Sequence, residues 1–155
     1  MALRSHPDAW LATQPDWQRR VRAEPALLPA AIDEVLRIDG PLVANRRITR
    51  EAVELGGQAL AAGERLSINW IAANRDPRAF DAPDDFRINR DPALNLLYGP
   101  GVHVCPGAPL ARLELRVLME ELLARAADIA LAPQQPPTRA VSPDARYAML
   151  RVCLR

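Results

Sequence analysis

The ten residues from Tyr98 to Gly107, YGPGVHVCPG, place one cysteine in a loop rich in glycine and proline. Three glycines and two prolines in ten positions exclude a regular helix or strand from this segment, which we call the cysteine loop. A strong helical pattern begins directly after it, at Ala108, and the positive N-terminal end of a helix favours a thiolate at Cys105. The fold therefore has to present one cysteine on an irregular loop beside a helix start.

Cys105 also has two simpler interpretations. A free cysteine often serves only as a small buried apolar residue. The second interpretation is a disulfide with Cys153, the one other cysteine of the chain. The first ten residues lack the apolar core of a secretion signal, so the sequence gives no indication of an oxidising compartment. We therefore expect a cytoplasmic protein.

The composition is that of an ordinary globular domain of 155 residues, with 49% hydrophobic and 25% charged residues. A net charge of +1 argues against nucleic acid as a main partner. No run approaches the ~20 apolar residues needed to cross a bilayer, so we expect no membrane partner. Fifteen prolines predict much irregular but ordered backbone.

Hydrophobic periodicity divides the chain into five parts and predicts an α+β fold that is mainly α. We expect a single domain with a helical segment (1–37, broken near Pro25), a small sheet (41–73), an irregular meander with the cysteine loop (74–107), a long helix (108–130), and a C-terminal turn and strand (131–155).

Three details of this division can be compared with the structure. The first is one buried helical face formed by Leu28, Ala31, Ile32, Val35 and Leu36. The second is a strand pattern that runs through Leu66, Ile68 and Trp70. The third is the long helix, whose apolar side runs from Leu110, Leu113 and Val117 to Ile129, followed by a proline-rich turn (133–143) and a last strand (147–154).

The spacing Gly-x-Gly-x-His-x-Cys-x-Gly resembles the haem-binding loop of the cytochrome P450 superfamily, the haem-thiolate monooxygenases. The resemblance implies that Cys105 is the axial ligand of the iron of haem b. It implies further that His103 contacts a haem propionate and that the loop residues listed next lie against the cofactor. These are Tyr98, which replaces the usual phenylalanine, and Gly99, Gly101 and Gly107.

Glu34 and Arg37 lie three residues apart, close enough to pair on one helix. From spacing alone, such a pair most often lies on a solvated face. The superfamily has a Glu-x-x-Arg helix at this distance before its cysteine loop, completed by an arginine of the meander. The segment 83–90, PDDFRINR, resembles that part of the family and implies that Arg90 is the third member of a buried structural group.

Arg47 is the arginine that the resemblance assigns to a haem propionate, the one that His103 does not contact. The register comes from the segment 53–57, VELGG, which is similar to the entry of the family's sheet. The neighbouring Arg46 lies one residue away and is the alternative. Without the family, a solvated surface charge is an equally good interpretation.

The resemblance runs from about Leu11 to Leu154 and matches only the C-terminal, haem-binding part of the family's fold. The long distal helix, whose acid and alcohol side chains deliver protons during oxygen activation, has no counterpart in the sequence. We therefore assign no catalytic residue. Since the distal helix normally covers the helix 108–130, we expect part of the apolar side of that helix to be exposed.

The function implied by the resemblance is a bacterial-type monooxygenase that inserts one oxygen atom from O₂ into an apolar substrate. The implied electron donor is an acidic iron–sulfur or flavin protein, which would dock near Arg112 and Arg116. Two alternatives remain open: a truncated, non-catalytic haem-binding or interaction module, and one half of a split enzyme. They imply an oligomer or a complementary distal half as partner.

Overall fold

The computed structural model describes residues 2–3, 6–141, 145 and 147–155. The segment predicted to be helical, 1–37, begins with a short strand and contains two breaks instead of one. Its elements are β1 (Ala2–Leu3), α1 (His6–Ala12), α2 (Pro15–Ala23) and α3 (Leu28–Ile38). Pro15 opens α2, where its missing N–H leaves no hydrogen bond unmade. Glu24 leaves the helical region because it precedes Pro25.

Two small antiparallel sheets follow, one nested within the other. The strands are β2 (Ala44–Ile48), β3 (Val53–Leu55), β4 (Gln58–Leu60) and β5 (Arg65–Asn69). β3 pairs with β4 across Gly56 and Gly57, whose φ angles of +58° and +79° suit a tight hairpin turn. β2 pairs with β5 outside this hairpin.

Thr49 closes the base of the β3–β4 hairpin. Its N–H donates to the carbonyl of Glu64 at 3.0 Å, and its hydroxyl donates to the carbonyl of Ala61 at 2.6 Å. The N–H of Glu64 donates back to the Thr49 hydroxyl at 2.9 Å. The same residue therefore ends the β2–β5 pairing and starts the hairpin.

The prediction that Trp70 continues the strand pattern is wrong. Trp70 begins a short helix, α4 (Trp70–Ala73), because the side chain of Asn69 caps the helix start and accepts the N–H of Ala72 at 3.0 Å. The meander that follows contains only short helical turns, at Pro92–Leu94 and Gly101–His103. Its prolines limit regular structure, as expected.

The long helix, α5, covers Ala108–Arg125 and is shorter than predicted. Its C-terminal end is fixed by Arg22 of α2, whose guanidinium donates to the carbonyls of Leu123 and Ala126. Ala126 is already extended, and Ile129 lies in a strand. The chain ends with β6 (Ile129–Leu131), β7 (Thr138–Arg139) and β8 (Tyr147–Leu154).

β8 is the central strand of the C-terminal sheet and pairs antiparallel with β1, β6 and β7. The predicted turn 133–143 contains β7, while its last residues, Ser142 and Pro143, lie outside the described part of the chain.

The main core lies between the C-terminal sheet and the helices, and all five residues of the predicted α3 face are buried. The core cluster contains Ala9, Leu11, Val21, Leu28, Ile32, Leu36, Met119, Leu122, Leu123, Ala126, Ile129, Leu150 and Val152.

Glu34 and Arg37 of α3 form a buried ion pair, with side chains only 4% and 2% exposed. Arg37 Nε lies 2.8 Å from Glu34 Oε2, and its Nη2 lies 2.9 Å from Oε1. Arg90 donates from Nε to Oε1 at 3.0 Å, and the backbone N–H of Arg87 donates to the same oxygen at 3.0 Å. The simpler interpretation, a pair on a solvated helix face, is therefore wrong.

The ionised carboxylate at Glu34 is favoured by these donors. Burial raises the pKa of Glu34, but hydrogen bonds from Arg37, Arg87 and Arg90, together with the charge of Arg37, outweigh burial and lower the pKa. Arg37 also donates to the carbonyls of Asn74 and Pro83, at 2.6 and 2.8 Å. The ion group thus holds several points of the meander against α3.

Two asparagines extend this support to the start of the cysteine loop. Asn74 accepts the N–H of Leu96 at 2.8 Å, and Asn95 accepts the N–H of Leu97 at 3.0 Å. The two side chains hydrogen-bond to each other at 3.1 Å, and Asn95 also donates to the carbonyl of Asp33 at 3.0 Å. The chain entering the cysteine loop is therefore fixed to α3 by side chains.

Replacing Arg90→Met removes one cation from the buried carboxylate of Glu34. We expect the free energy of unfolding to fall by about 3–5 kcal/mol, because Glu34 loses a charge partner in a buried place. The control is Arg75→Met, whose pair with Asp84 spans 3.3 Å between side chains 40% and 78% exposed. We expect a loss below ~1 kcal/mol there. Equal losses in urea denaturation would contradict the role of the buried group.

Candidate functional site

The cysteine loop is closed by a hydrogen bond between its first residue and its cysteine. The N–H of Cys105 donates to the carbonyl of Tyr98 at 2.8 Å. Gly99 and Gly101 have φ angles of +77° and +60°, which residues with a Cβ rarely adopt. At Gly99 a Cβ would also lie 3.3 Å from the carbonyl oxygen of His103. Glycines at these two positions are required by the backbone itself.

Gly107 has a different explanation. Its φ of −82° is accessible to any residue, and a Cβ there would lie 3.7 Å from Cys105 Sγ, an ordinary contact. The protein backbone alone does not require glycine at this position. α5 begins at the next residue, so the cysteine stands ahead of the helix start as predicted, and the N–H of Ala108 donates to the Cys105 carbonyl at 3.1 Å.

Cys105 is a free cysteine and is exposed, lining a cleft of about 460 Å³ between the cysteine loop and the β2–β5 ribbon. Cys153 is also a free cysteine, so the disulfide alternative is wrong. Of the residues that the resemblance assigned to the cofactor, those that line the cleft are Arg47, Tyr98, Gly99, His103 and Cys105, while Gly101 and Gly107 do not.

Arg47 lies on the face of β2 that lines the cleft, and Arg46 does not. In the pairing of β2 with β5, Asn45 lies opposite Ile68, and both line the cleft. Successive side chains of a strand point to opposite faces, so Arg47 shares the face of Asn45 while Arg46 has the other one. Arg47 Nη1 donates to the carbonyl of Arg46 at 2.9 Å. Both arginines are exposed.

The apolar lining of the cleft comes from three separate segments. Pro41 and Leu42 belong to the turn after α3, Ile68 and Trp70 to the end of β5 and the start of α4, and Leu97 to the chain entering the cysteine loop. Ile68, Trp70 and Leu97 were not recognised as site residues in the sequence. The alternation along β5 would have identified Ile68 once its pairing with β2 was known.

Tyr98 is half-buried beneath Arg112 of α5. The guanidinium carbon of Arg112 lies 4.6 Å from the centre of the Tyr98 ring, and its Nε lies 2.9 Å from Asp33 Oδ1. Burial raises the pKa of Tyr98, and the charge of Arg112 offsets part of this increase. Arg116, one turn further, lies 3.6 Å from Glu120. The predicted basic patch therefore consists of two arginines that each have an acidic partner.

Between Leu110 and Val117, α5 exposes part of its apolar side, as expected. Leu110, Leu113 and Val117 are 59%, 49% and 46% exposed, whereas Met119 and Leu122 in the second half are buried in the core. No helix in the described part of the chain is long and apolar enough to span a membrane. Leu110, Leu113 and Val117 therefore form an exposed apolar surface on α5.

The residues of the cleft fit a flat, apolar, iron-bearing cofactor with acidic edge groups. Within the described ranges, no group of three or more His, Cys, Asp or Glu side chains could hold a bare metal ion. A single thiol is the protein ligand suited to an iron already held by a macrocycle. Arg47 offers a positive charge, and both Arg47 and His103 offer hydrogen-bond donors for carboxylates. The apolar lining suits the faces of the ring.

Comparison with known proteins identifies the family of the chain. The sequence model of the family described as Cytochrome P450 matches residues 9–139. Cytochrome P450 144 of Mycobacterium tuberculosis is 46% identical over 123 residues, which cover 79% of this chain and 28% of that protein. Beta-dihydromenaquinone-9 omega-hydroxylase of the same species is 39% identical over 128 residues, covering 83% and 26%.

The fold is also that of a solved relative. Cytochrome P450 CYP150A6 of Mycobacterium marinum, in its substrate-free form, superimposes with a TM-score of 0.91 at 35% identity, over 97% of this chain and 39% of that one. The chain thus spans well under half of the length of the relatives it matches. On the match of the family model and of these relatives, the chain belongs to the cytochrome P450 family, whose cofactor is haem b.

Proposed function

We propose that this chain forms the cysteine side of a haem-thiolate monooxygenase site that inserts one oxygen atom from O₂ into an apolar substrate. The observation that carries the proposal is the position of Cys105, exposed in a cleft together with Arg47 and His103. Haem, when bound, supplies the oxygen chemistry. The thiolate of Cys105 would hold the haem iron and would act as an electron-donating ligand.

The roles of the remaining cleft residues follow from their chemistry. Arg47 and His103 orient the cofactor by binding its two carboxylates, one each. The apolar side chains Leu42, Ile68 and Trp70 line the cleft with Cys105 and exclude water from the ring. The Glu34 ion group keeps the cysteine loop in place without touching the cofactor. No residue of this chain is assigned to proton delivery.

Electrons reach the site from a reduced protein of the iron–sulfur or flavin type that docks on the cysteine side. Arg112 stacks on Tyr98 of the cysteine loop, and Arg116 lies one turn further along α5. Their side chains remain 43% and 48% exposed despite their acidic partners. An acidic donor surface would be attracted by them. We place the chain in the cytoplasm, a reducing compartment in which the thiols of Cys105 and Cys153 would remain free.

The second wall of the cofactor site comes from polypeptide that these residues do not provide. The exposed leucines of α5 and the coverage of 28% of a relative's length support this part of the proposal. A split enzyme and a non-catalytic module remain the two alternatives to this proposal.

Leu110→Glu combined with Leu113→Glu should convert any self-associated form of the chain to a monomer, because charge replaces exposed apolar surface. Light scattering measures the change. A wild-type chain that is already monomeric at high concentration would remove self-association as the cover of this surface.

Cys105→Ala should abolish the red-shifted Soret band of the reduced, carbon-monoxide-treated, haem-loaded chain, because that band requires a thiolate ligand. Cys153→Ala is the matched control, since Cys153 lies in β8, outside the cleft. We expect it to keep the band. A chain that takes up no haem at any ratio, or a band that survives Cys105→Ala, would contradict the proposed ligand.

Arg47→Leu should weaken haem binding by about tenfold to a hundredfold, because a charge-assisted hydrogen bond contributes roughly 1.5–3 kcal/mol. Arg46→Leu changes the same residue type on the opposite face of β2, and we expect a change of less than about twofold. Both affinities are measured by absorbance titration of the chain with haem. A larger effect at Arg46 would assign the carboxylate contact to the other face of the strand.

A further inference from the structure

Arg112 connects three parts of the fold through one side chain. Its Nε lies 2.9 and 3.3 Å from the two carboxylate oxygens of Asp33 on α3, and its guanidinium carbon lies 4.6 Å from the ring centre of Tyr98. A planar guanidinium can pair with a carboxylate at its edge while its face stacks on an aromatic ring. Arg112 therefore joins α5 and α3 to the first residue of the cysteine loop.

Tyr98 transmits this contact to the cysteine. Its carbonyl accepts the N–H of Cys105 at 2.8 Å, and its side chain lines the same cleft as the thiol. The next residue, Gly99, has a φ of +77°, so the loop turns sharply immediately after the ring. The ring that Arg112 covers and the carbonyl that accepts the Cys105 N–H thus belong to the same residue, at the point where the loop turns.

Asp33 is itself held in place. It belongs to α3 directly before Glu34, and its carbonyl accepts the side-chain N–H of Asn95 at 3.0 Å. The carboxylate that orients Arg112 thus projects from the helix that also anchors the meander. Because the ion pair with Asp33 already orients the guanidinium, stacking on the Tyr98 ring costs Arg112 less side-chain entropy than it would cost an unpaired arginine.

We propose that Arg112 is a positioning residue for Cys105, which acts by holding the Tyr98 ring between α3 and α5. The inference rests on the proposed function, because the position of the thiol affects chemistry only if Cys105 binds the haem iron. It assigns Arg112 a role within the chain that differs from attraction of an electron donor. It also gives Asp33 a function, namely orienting Arg112.

Arg116 supplies an internal control. It lies one turn further along α5 and is exposed to nearly the same degree as Arg112, but it pairs with Glu120 of its own helix at 3.6 Å. A docking surface would depend on both arginines. A positioning role predicts that Arg112 alone affects the cysteine loop, even when no partner protein is present.

The first measurement is hydrogen–deuterium exchange of residues 96–107 in the full chain without haem. Arg112→Gln should speed exchange in this segment by about threefold to tenfold, since one stacking contact and one ion pair are lost. Arg112→Lys should give an intermediate rate, because lysine retains the charge but not the planar group. Arg116→Gln should match the wild type. Equal rates in Arg112→Gln and Arg116→Gln would overturn the proposal.

The second measurement uses the reduced, haem-loaded chain with carbon monoxide. Arg112→Gln should lower the fraction of the red-shifted thiolate band, and Arg112→Lys should restore part of it. Unchanged spectra in Arg112→Gln would overturn the proposal. If the wild type binds no haem, the proposed function fails, while the exchange experiment still tests the contact itself.

Asp33→Asn is a smaller change that serves if Arg112→Gln destabilises the whole chain. If Arg112→Gln speeds exchange throughout the chain, Asp33→Asn decides, because it weakens the ion pair and keeps the shape of the side chain. Faster exchange confined to residues 96–107 in Asp33→Asn would support the proposal. No change in that segment would contradict it.

Discussion

The buried carboxylate of Glu34 is the constraint on which the rest of the structure depends. It accepts hydrogen bonds from two arginine side chains and one backbone N–H, and these donors come from α3 and from a meander more than fifty residues later. An ionised group in this position is stable only while its partners remain in place, so the meander cannot leave α3 without stranding a charge. Irregular backbone thereby acquires a fixed position that its own short helical turns could not give it.

The cleft forms where two pieces that both start from α3 meet. The cysteine loop reaches it from the asparagine pair and the ion group, and the β2–β5 ribbon reaches it from the turn after α3. The N–H of Trp70 donates to the carbonyl of Val43 at 2.9 Å and ties the two sides of the ribbon together at the cleft. Loops carry the reactive groups, while the rigid elements behind them set the distances.

Local patterns allowed part of this arrangement to be predicted. Glycine content and spacing identified the cysteine loop, and helical periodicity identified the buried face of α3. The end of α5 was missed because Arg22, about one hundred residues earlier, caps it. Trp70 was placed in a strand because alternation continues into it, while the Asn69 side chain decides otherwise. Contacts such as Arg112 with Asp33 depend on how α3 packs against α5, which no local pattern contains.

The Thr49 contacts divide the small sheets into two parts with different freedom. Beyond Thr49, the β3–β4 hairpin is largely exposed, and a Cβ at Gly56 or Gly57 would meet no atom within 4 Å. Before it, β2 carries Arg47 in a register set by β5. Insertions at the hairpin tip are therefore mechanically isolated from the cleft, whereas one residue added within β2 would exchange the faces of Arg46 and Arg47. A label or a tag inserted at the hairpin tip would therefore leave the residues that line the cleft in place.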